Sequence, residues 1–336
     1  MADINVGIIG TGNWGKNHVR NFQNTKNCKL VACCDADEQK LNAIKAASPS
    51  MRIYTDFHEF MDQGDIDAVV IASSAVTHYM IAKDALNRGK HVFVEKPMAL
   101  RSAEAEELLK LAQEKELTLM VGHLLEYHPA VEKLKELISS GDIGEVYYIY
   151  SQRVNLGVIR SEENALWSFA PHDISIILYL LDEEPDSVTA RGESFLQESV
   201  EDVVFLNLKF KSGKMANIQL SWLDPHKIRK TTIVGSKKMV VFDDVEPSEK
   251  IKIYDKGVNY KPSIVGYHEM FEIRTGDILI PKISLKEPLK FEADHFIDCI
   301  INKKTPRSDG KDGLRVTKVL EAAQKSLENN GNVVYI

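Results

Sequence analysis

The sequence has few cysteines, no long apolar run and no dense basic cluster, and each shortage removes a class of function. Its four cysteines, Cys28, Cys33, Cys34 and Cys299, show no C-x-x-C spacing. With no histidine partner expected for them, they argue against a zinc site or a disulfide framework, and no metal is expected. Reduced, buried thiols in a cytoplasmic protein are the reading that remains. No apolar run reaches the ~18 residues that span a bilayer. The opening Met1-Ala-Asp-Ile-Asn5 carries neither the basic region nor the apolar stretch of a secretory signal. Against 49 acidic residues stand 42 basic ones, scattered along the chain, for a net charge of −7. Neither nucleic acid nor membrane is expected as a partner.

What is present is an alternation. Strand-like runs at 5–9, 29–34, 68–72, 91–94 and 118–121 are separated by helical stretches at 37–46, 77–88 and 102–114, the last with Ser102 placed to cap it. Parallel strands need crossover helices, so this rhythm predicts a doubly wound α/β domain over residues 1–125. From residue 126 to 336 the rhythm changes. A helix over 128–138 with an early proline precedes longer strand-like segments at 145–155, 187–195, 203–211, 215–222, 228–234, 239–242 and 251–254. One helix, expected over 171–181, interrupts them. Residues 257–288 read as extended loop, and helices near 290–303 and 313–329 close the chain. This half is expected to be an α+β domain on a large open, mostly antiparallel sheet, its C-terminal helix free to pack back on the N-terminal domain.

The loop Gly10-Thr-Gly-Asn-Trp-Gly15 follows a predicted strand and precedes a helix, the context in which G-x-G-x-x-G binds a dinucleotide. Gly10 permits the tight turn, Gly12 lets backbone approach a diphosphate, and Gly15 allows helix and strand to pack closely. The diphosphate would lie on the helix N-terminus, beside Thr11, Asn13 and Trp14. For Trp14 helix packing is the leading reading, with overhang of the cofactor, or reach toward the substrate side of the cleft, as the alternative. Asp35 ends the second strand about 20 residues past Gly15, where its carboxylate can accept both adenosine ribose hydroxyls. Asp35, with Asp37 and Glu38 beside it, would repel a 2′-phosphate, so the cofactor is expected to be NAD, against which Lys40 and Arg52 are the only nearby cations. The first domain thus reads as a Rossmann domain.

Glu95-Lys96-Pro97 stands at the C-terminal end of a parallel strand, the edge where such sheets bind ligands. A surface ion pair before a turn would look the same by position alone. Together, the glycine fingerprint, Asp35, Glu95-Lys96-Pro97, His172 and the sheet domain that follows resemble the glucose-fructose oxidoreductase and inositol dehydrogenase (Gfo/Idh/MocA) family. The segments Gln152-Arg-Val-Asn-Leu-Gly157 and 164–175 resemble its branch that oxidises UDP-linked N-acetylated amino sugars at C3.

The resemblance implies Lys96 and His172 as the catalytic pair. Lys96 would steady the alkoxide that develops as hydride leaves carbon, and His172, of a residue type with pKa ~6.5, would take the hydroxyl proton. Glu95 would orient Lys96, and both Glu95 and Lys96 would share in cofactor contact. The family commonly has aspartate where this chain has Ser168, which leaves the division of labour between Lys96 and His172 open. Cofactor contacts are further implied at Ser73, His78 and His123; a solvated first-turn residue and a packing histidine are the alternatives for the last two. Arg153, Asn155 and Arg160 are candidate substrate contacts, Arg160 for a diphosphate, and Trp167 and Trp222 could stack a uracil or sugar face or fill core.

The implied activity is NAD-dependent oxidation of the C3 hydroxyl of UDP-N-acetylglucosamine or its uronate to the 3-keto sugar. A dehydrogenase of a free polyol such as inositol, a keto-sugar nucleotide reductase, and a non-catalytic NAD-sensing protein are the competing readings. Alternating apolar residues at 203–210 and 218–222 suggest a sheet face covered by a homodimer or homotetramer.

Overall fold

The computed structural model describes residues 3–260, 271–284 and 286–336. They form two compact units, one of Met1–Tyr127 with Lys286–Glu321, the other of His128–Leu285 with Ala322–Ile336. In the first unit, strands β1 (Ile4–Ile9), β2 (Cys28–Cys34), β3 (Arg52–Tyr54), β4 (Ala68–Ile71), β5 (His91–Glu95) and β6 (Leu119–Gly122) make one sheet in the order β3-β2-β1-β4-β5-β6. All its pairs are parallel. Helices α1 (Gly15–Gln23), α2 (Glu38–Ala47), α3 (Phe57–Met61), α4 (Ala75–Asn87) and α5 (Ser102–Glu114) connect the strands. Helices on both faces leave no wet side, and β4 is accordingly apolar and buried throughout.

The strand order reverses between β1 and β4, so the loops after these strands diverge and open a crevice at their C-terminal ends. The glycine loop follows β1 and Ser73 follows β4, which puts both at that crevice. β3 went unforeseen because Arg-Ile-Tyr is too short for a period to register. Ser102 proves to be the first residue of α5 rather than its cap; the cap position falls to Arg101, whose side chain makes no capping bond, and the Ser102 N–H is met instead by the Glu321 carboxylate at 3.0 Å.

The second unit begins with α6 (Pro129–Ser139), β7 (Val146–Val154), α7 (Ala165–Leu181), β8 (Pro185–Glu193) and β9 (Val203–Phe210). It continues through β10 (Met215–Ser221), β11 (Ile228–Gly235), β12 (Met239–Asp243), β13 (Ile251–Tyr260) and β14 (Phe271–Leu279). After α8 (Pro288–Asn302) and α9 (Gly310–Glu328) comes β15 (Val334–Tyr335), which pairs with β8. The nine-stranded sheet runs β14-β13-β12-β11-β7-β10-β9-β8-β15. β7 and β10 are parallel and the other neighbours antiparallel. β9 alternates strictly, Val204, Leu206, Leu208 and Phe210 being buried on the face that α7 covers. The opposite face exposes Tyr148, Tyr150, Phe205 and Met215.

Three expectations change. α7 starts at Ala165, not Pro171, because Asn164 caps it by accepting from the Trp167 N–H at 3.1 Å, and Pro171 is carried inside the helix. The expected loop over 257–288 contains strand: β13 runs on to Tyr260 and pairs with β14, while 261–270 and 285 lie outside the described residues. Residues 286–321 gather with the first unit instead of the second, since Phe296 of α8 packs edge-on against Phe22 and Phe93 at 6.3 and 5.7 Å.

Candidate active site and cofactor-binding loop

The glycine loop is built by backbone necessity at two of its three glycines. Gly10 has φ +85°, and a Cβ there would lie 2.5 Å from the Ser73 nitrogen; at Gly15 it would lie 1.9 Å from the Gly10 carbonyl oxygen. Gly12 differs, with nothing within 4 Å of its ideal Cβ. The missing side chain leaves the backbone there open to the close approach of a diphosphate. Among the described residues no side chain caps α1, and its first turn holds no acidic residue, so its N-terminal N–H groups stay available to an anion. A cavity of about 590 Å³ opens beside Thr11, Gly12 and Asn13 and reaches Lys16 and Lys40. Trp14, at the start of α1, is 43% exposed.

Asp35 Oδ2 accepts from the Thr11 N–H at 2.6 Å and the Thr11 hydroxyl at 2.8 Å, and Oδ1 from the Asp37 N–H at 2.9 Å. Partial burial pushes its pKa up. The N–H groups of Asp37 and Thr11, the Thr11 hydroxyl and Lys40 outweigh this and hold the carboxyl below its usual range. Lys40 Nζ lies 3.6 Å from Asp35 and 3.4 Å from Asp37, so the cation that could have met a 2′-phosphate is already engaged. An open Gly12, an uncapped helix start and an ionised Asp35 together fit NAD.

Behind Lys96 the sheet edge is braced. Glu95 Oε1 accepts from Nε2 of His18 at 2.7 Å, and Oε2 meets the Lys96 N–H at 3.3 Å. Burial drives the Glu95 pKa up, but His18, then Lys96 and His78, bring it below the ordinary value. Lys96 is half-buried. His78 is fully enclosed; its Nδ1 lies 2.8 Å from the Pro97 carbonyl oxygen and its Nε2 3.2 Å from that of Ser73. Burial lowers its pKa. His78 therefore ties the Lys96–Pro97 turn to the loop after β4 and offers a cofactor no exposed edge, contrary to the expected contact. Ser73 shares its hydroxyl with Thr77 at 2.7 Å.

His123 is likewise buried and bonded, its Nδ1 2.5 Å from Asp312 and 3.5 Å from Glu126. Burial opposes its charged form, yet Asp312 and Glu126 raise its pKa to about 10. The expected place beside the nicotinamide gives way to an internal ion pair that joins the end of β6 to α9. These three side chains offer ligand atoms within 4.8 Å of one another, but the hydrogen bond between His123 and Asp312 satisfies that pair without an ion. Near them lies Glu292 on α8, fully buried; among the described residues neither of its oxygens has a hydrogen-bond partner. Burial, then the charges of Glu95 and Glu126, push its pKa well up, with His123 opposing. Sequence reasoning missed both His18 and Glu292.

In the second unit, His172 sits half-buried on α7, with buried Ser168 one turn before it. Trp167 donates its indole N–H to Gln324 at 3.1 Å, and Trp222 is buried with its indole N–H on Asp202. Trp222 is core and cannot stack a base. Arg153 is also redirected: its guanidinium is buried against Asp173, Nε to Oδ2 at 2.5 Å. Asn155 Oδ1 accepts from Arg229. Arg160 is exposed and pairs with Glu163 at 2.6 Å. The four cysteines are free thiols, Cys33 and Cys34 pushed to about 12 by burial. Cys299 does have a histidine neighbour, His295, at 3.4 Å.

Residues 4–123 match the family model described as an oxidoreductase family with an NAD-binding Rossmann fold, and residues 131–241 match its GFO/IDH/MocA C-terminal domain. The myo-inositol 2-dehydrogenase of Thermotoga maritima is 25% identical, covering 98% of each chain. The UDP-N-acetylglucosamine 3-dehydrogenase of Acidithiobacillus ferrooxidans is also 25% identical, over 94% of this chain and 95% of its own. Among solved structures, scyllo-inositol dehydrogenase from Lactobacillus casei with NAD(H) and scyllo-inositol superposes with a TM-score of 0.81 at 23% identity, covering 99% of each chain. The first unit is an NAD-binding Rossmann domain.

Proposed function

Since the chain belongs to the GFO/IDH/MocA family of NAD-dependent oxidoreductases, we propose that it oxidises the C3 hydroxyl of a UDP-linked N-acetylated hexose to the 3-keto sugar. The observation that carries an enzymatic reading is the bracing of Lys96: Glu95, half-buried and held by His18, and the His78 tie to Pro97 fix the turn from which the lysine projects. A lysine kept only for solubility needs no such support. The substrate class rests on the likeness to the UDP-N-acetylglucosamine enzyme over nearly the whole chain.

NAD, when bound, supplies the hydride acceptor. The Lys96 ammonium hydrogen-bonds the reacting hydroxyl oxygen and stabilises its developing negative charge. An imidazole nitrogen of His172 accepts the hydroxyl proton. Ser168 stands one helical turn before His172 where the family commonly has an aspartate. Asp35 with Thr11 takes the adenosine ribose, the start of α1 the diphosphate, and Trp14 covers the exposed side of the loop. Arg160 and Trp167 face the nucleotide. Pairing of two or four copies through the open sheet face would cover Tyr148, Tyr150, Phe205 and Met215.

A second reading, oxidation of a free polyol, is favoured by the inositol enzyme's equal identity. Purified protein with NAD should produce NADH absorbance with UDP-N-acetylglucosamine or its uronate, with a nucleotide-bearing keto product by mass spectrometry. Turnover confined to inositols would replace the first reading by the second, and silence with both would end the proposal. Lys96→Ala should lower kcat by about 100-fold or more while leaving NAD binding intact.

A further inference from the structure

Arg229 stands where no motif pointed. The register of β11 on β7 sets it directly opposite Arg153, and like charges facing each other across an antiparallel pair repel. One carboxylate serves the two: Asp173 binds Arg153 through Nε and Nη2 at 2.5 and 3.4 Å and also accepts from Ser151 at 2.5 Å. Asp244, the other acid nearby, lies 3.8 Å from His128 and 3.9 Å from Lys250. Arg229 is left as a half-buried cation without a carboxylate of its own, and burial and Arg153 depress its pKa to about 10.

Its hydrogen bonds stop short of its capacity. Nη1 donates to the carbonyls of Val154 and Ile228, both at 2.9 Å, and Nη2 to Asn155 Oδ1. A guanidinium has five N–H groups, so among the described residues Nε–H and one N–H of Nη2 have no acceptor. The plane is steadied from below by Phe169, 5.4 Å from its ring centre. Phe169 is three residues before His172 on α7, adjacent on the helix surface.

We propose that Arg229, positioned by Asn155 and Phe169, is an anion subsite that takes a phosphate or carboxylate group of the substrate within one helical turn of His172. A planar donor pair suits two oxygens of either group. The subsite refines the sugar-nucleotide reading and rests on it for the substrate's identity, since a neutral polyol would leave Arg229 uncompensated. It also moves the role expected of Arg153 to the residue facing it across the sheet.

Phenylglyoxal labelling of the NAD-loaded wild-type protein, mapped by mass spectrometry, tests this without a variant. Arg229 should be modified in the free protein and protected by UDP if a diphosphate occupies the site, or by glucuronate if a sugar carboxylate does. myo-Inositol should not protect it. Failure of Arg229 to react, or equal reaction with and without both anions, overturns the proposal. Calorimetry adds a second arm. Arg229→Gln should weaken binding of the protecting anion about 10- to 100-fold, Arg229→Lys less, with myo-inositol unaffected. Unchanged anion affinity in a folded Arg229→Gln protein overturns it equally. Protection by UDP in a protein that turns over only inositols would end the substrate reading while the subsite stands.

Discussion

Replacing Glu292 by glutamine should stabilise the protein, and increasingly so as the pH rises. The carboxyl is fully buried among Glu95, Glu126, His123 and Tyr127, with no hydrogen-bond partner among the described residues, and burial first, then Glu95, raise its pKa well above the usual range. A group whose folded pKa lies above its unfolded one contributes its full share below the unfolded pKa and loses it as pH climbs toward the folded value. Here folding requires the proton to be retained, while unfolding releases it to solvent at a pKa of 4.5. Each pH unit above that over which the folded carboxyl keeps its proton favours unfolding by about 1.4 kcal/mol. Glutamine has the shape without the titration. Its amide carries a desolvation cost of its own, but that cost is independent of pH, so the slope and not the offset is diagnostic. Urea unfolding of wild type and Glu292→Gln at pH 5, 6, 7 and 8 should show the difference in stability growing toward the variant as the pH rises, by up to about 1.4 kcal/mol per pH unit. A flat difference, or one that shrinks with pH, would mean that Glu292 is ionised in the folded protein, and the reasoning would fail.

The glycine loop yields a contrasting pair. Gly15→Ala puts a methyl 1.9 Å from a backbone oxygen and should unfold or markedly destabilise the first unit, whereas Gly12→Ala meets nothing within 4 Å and should keep the wild-type melting temperature while weakening NAD binding about 10-fold or more; a stable Gly15→Ala protein with wild-type NAD affinity would refute the geometry. Asp35→Ala should raise the NAD dissociation constant about 10- to 100-fold by removing a charged acceptor, and with Lys40 released it should narrow the preference over NADP, both measurable by fluorescence titration. Asp173→Asn strips the buried Arg153 of its partner and should cost about 3–5 kcal/mol of stability, read by denaturation; a loss under 1 kcal/mol would mean that Arg153 finds water or another acceptor.

The first unit was legible because its information is local. Glycines at 10, 12 and 15, the acid ending β2 and the Glu95-Lys96-Pro97 turn are spacings within one strand, turn and helix, and each turned up on the sheet edge expected of it. Failures begin where a role depends on a neighbour distant in sequence. His78 and His123 looked like cofactor ligands from their loops, and the structure closes both, one onto the Pro97 and Ser73 carbonyls and the other onto Asp312. Arg153 could not be separated from Arg229 by sequence, because the register that opposes them joins residues on non-consecutive strands. Asp173, next to His172 in sequence, turns instead to Arg153, a partner twenty residues away that no local spacing marks.

Two of the missed residues did leave a signal. On α8 the buried positions Leu289, Glu292, Ala293, Phe296 and Ile297 recur at helical spacing, and a glutamate inside such an apolar stripe contradicts the rule that charges face water. His18 does the same on α1, three residues past Gly15 and in line with Val19 and Phe22. A polar side chain in the stripe of an amphipathic helix must find a partner or stay unsatisfied, and these two divide the cases. His18 reaches Glu95 and so supports Lys96. Glu292 reaches nothing and is pushed toward its neutral form. The periodicity that located the core thus also marked where the core is electrically unusual: His18 bonds Glu95, which stands directly before the lysine proposed for catalysis, and Glu292 is itself pushed up by the charge of Glu95.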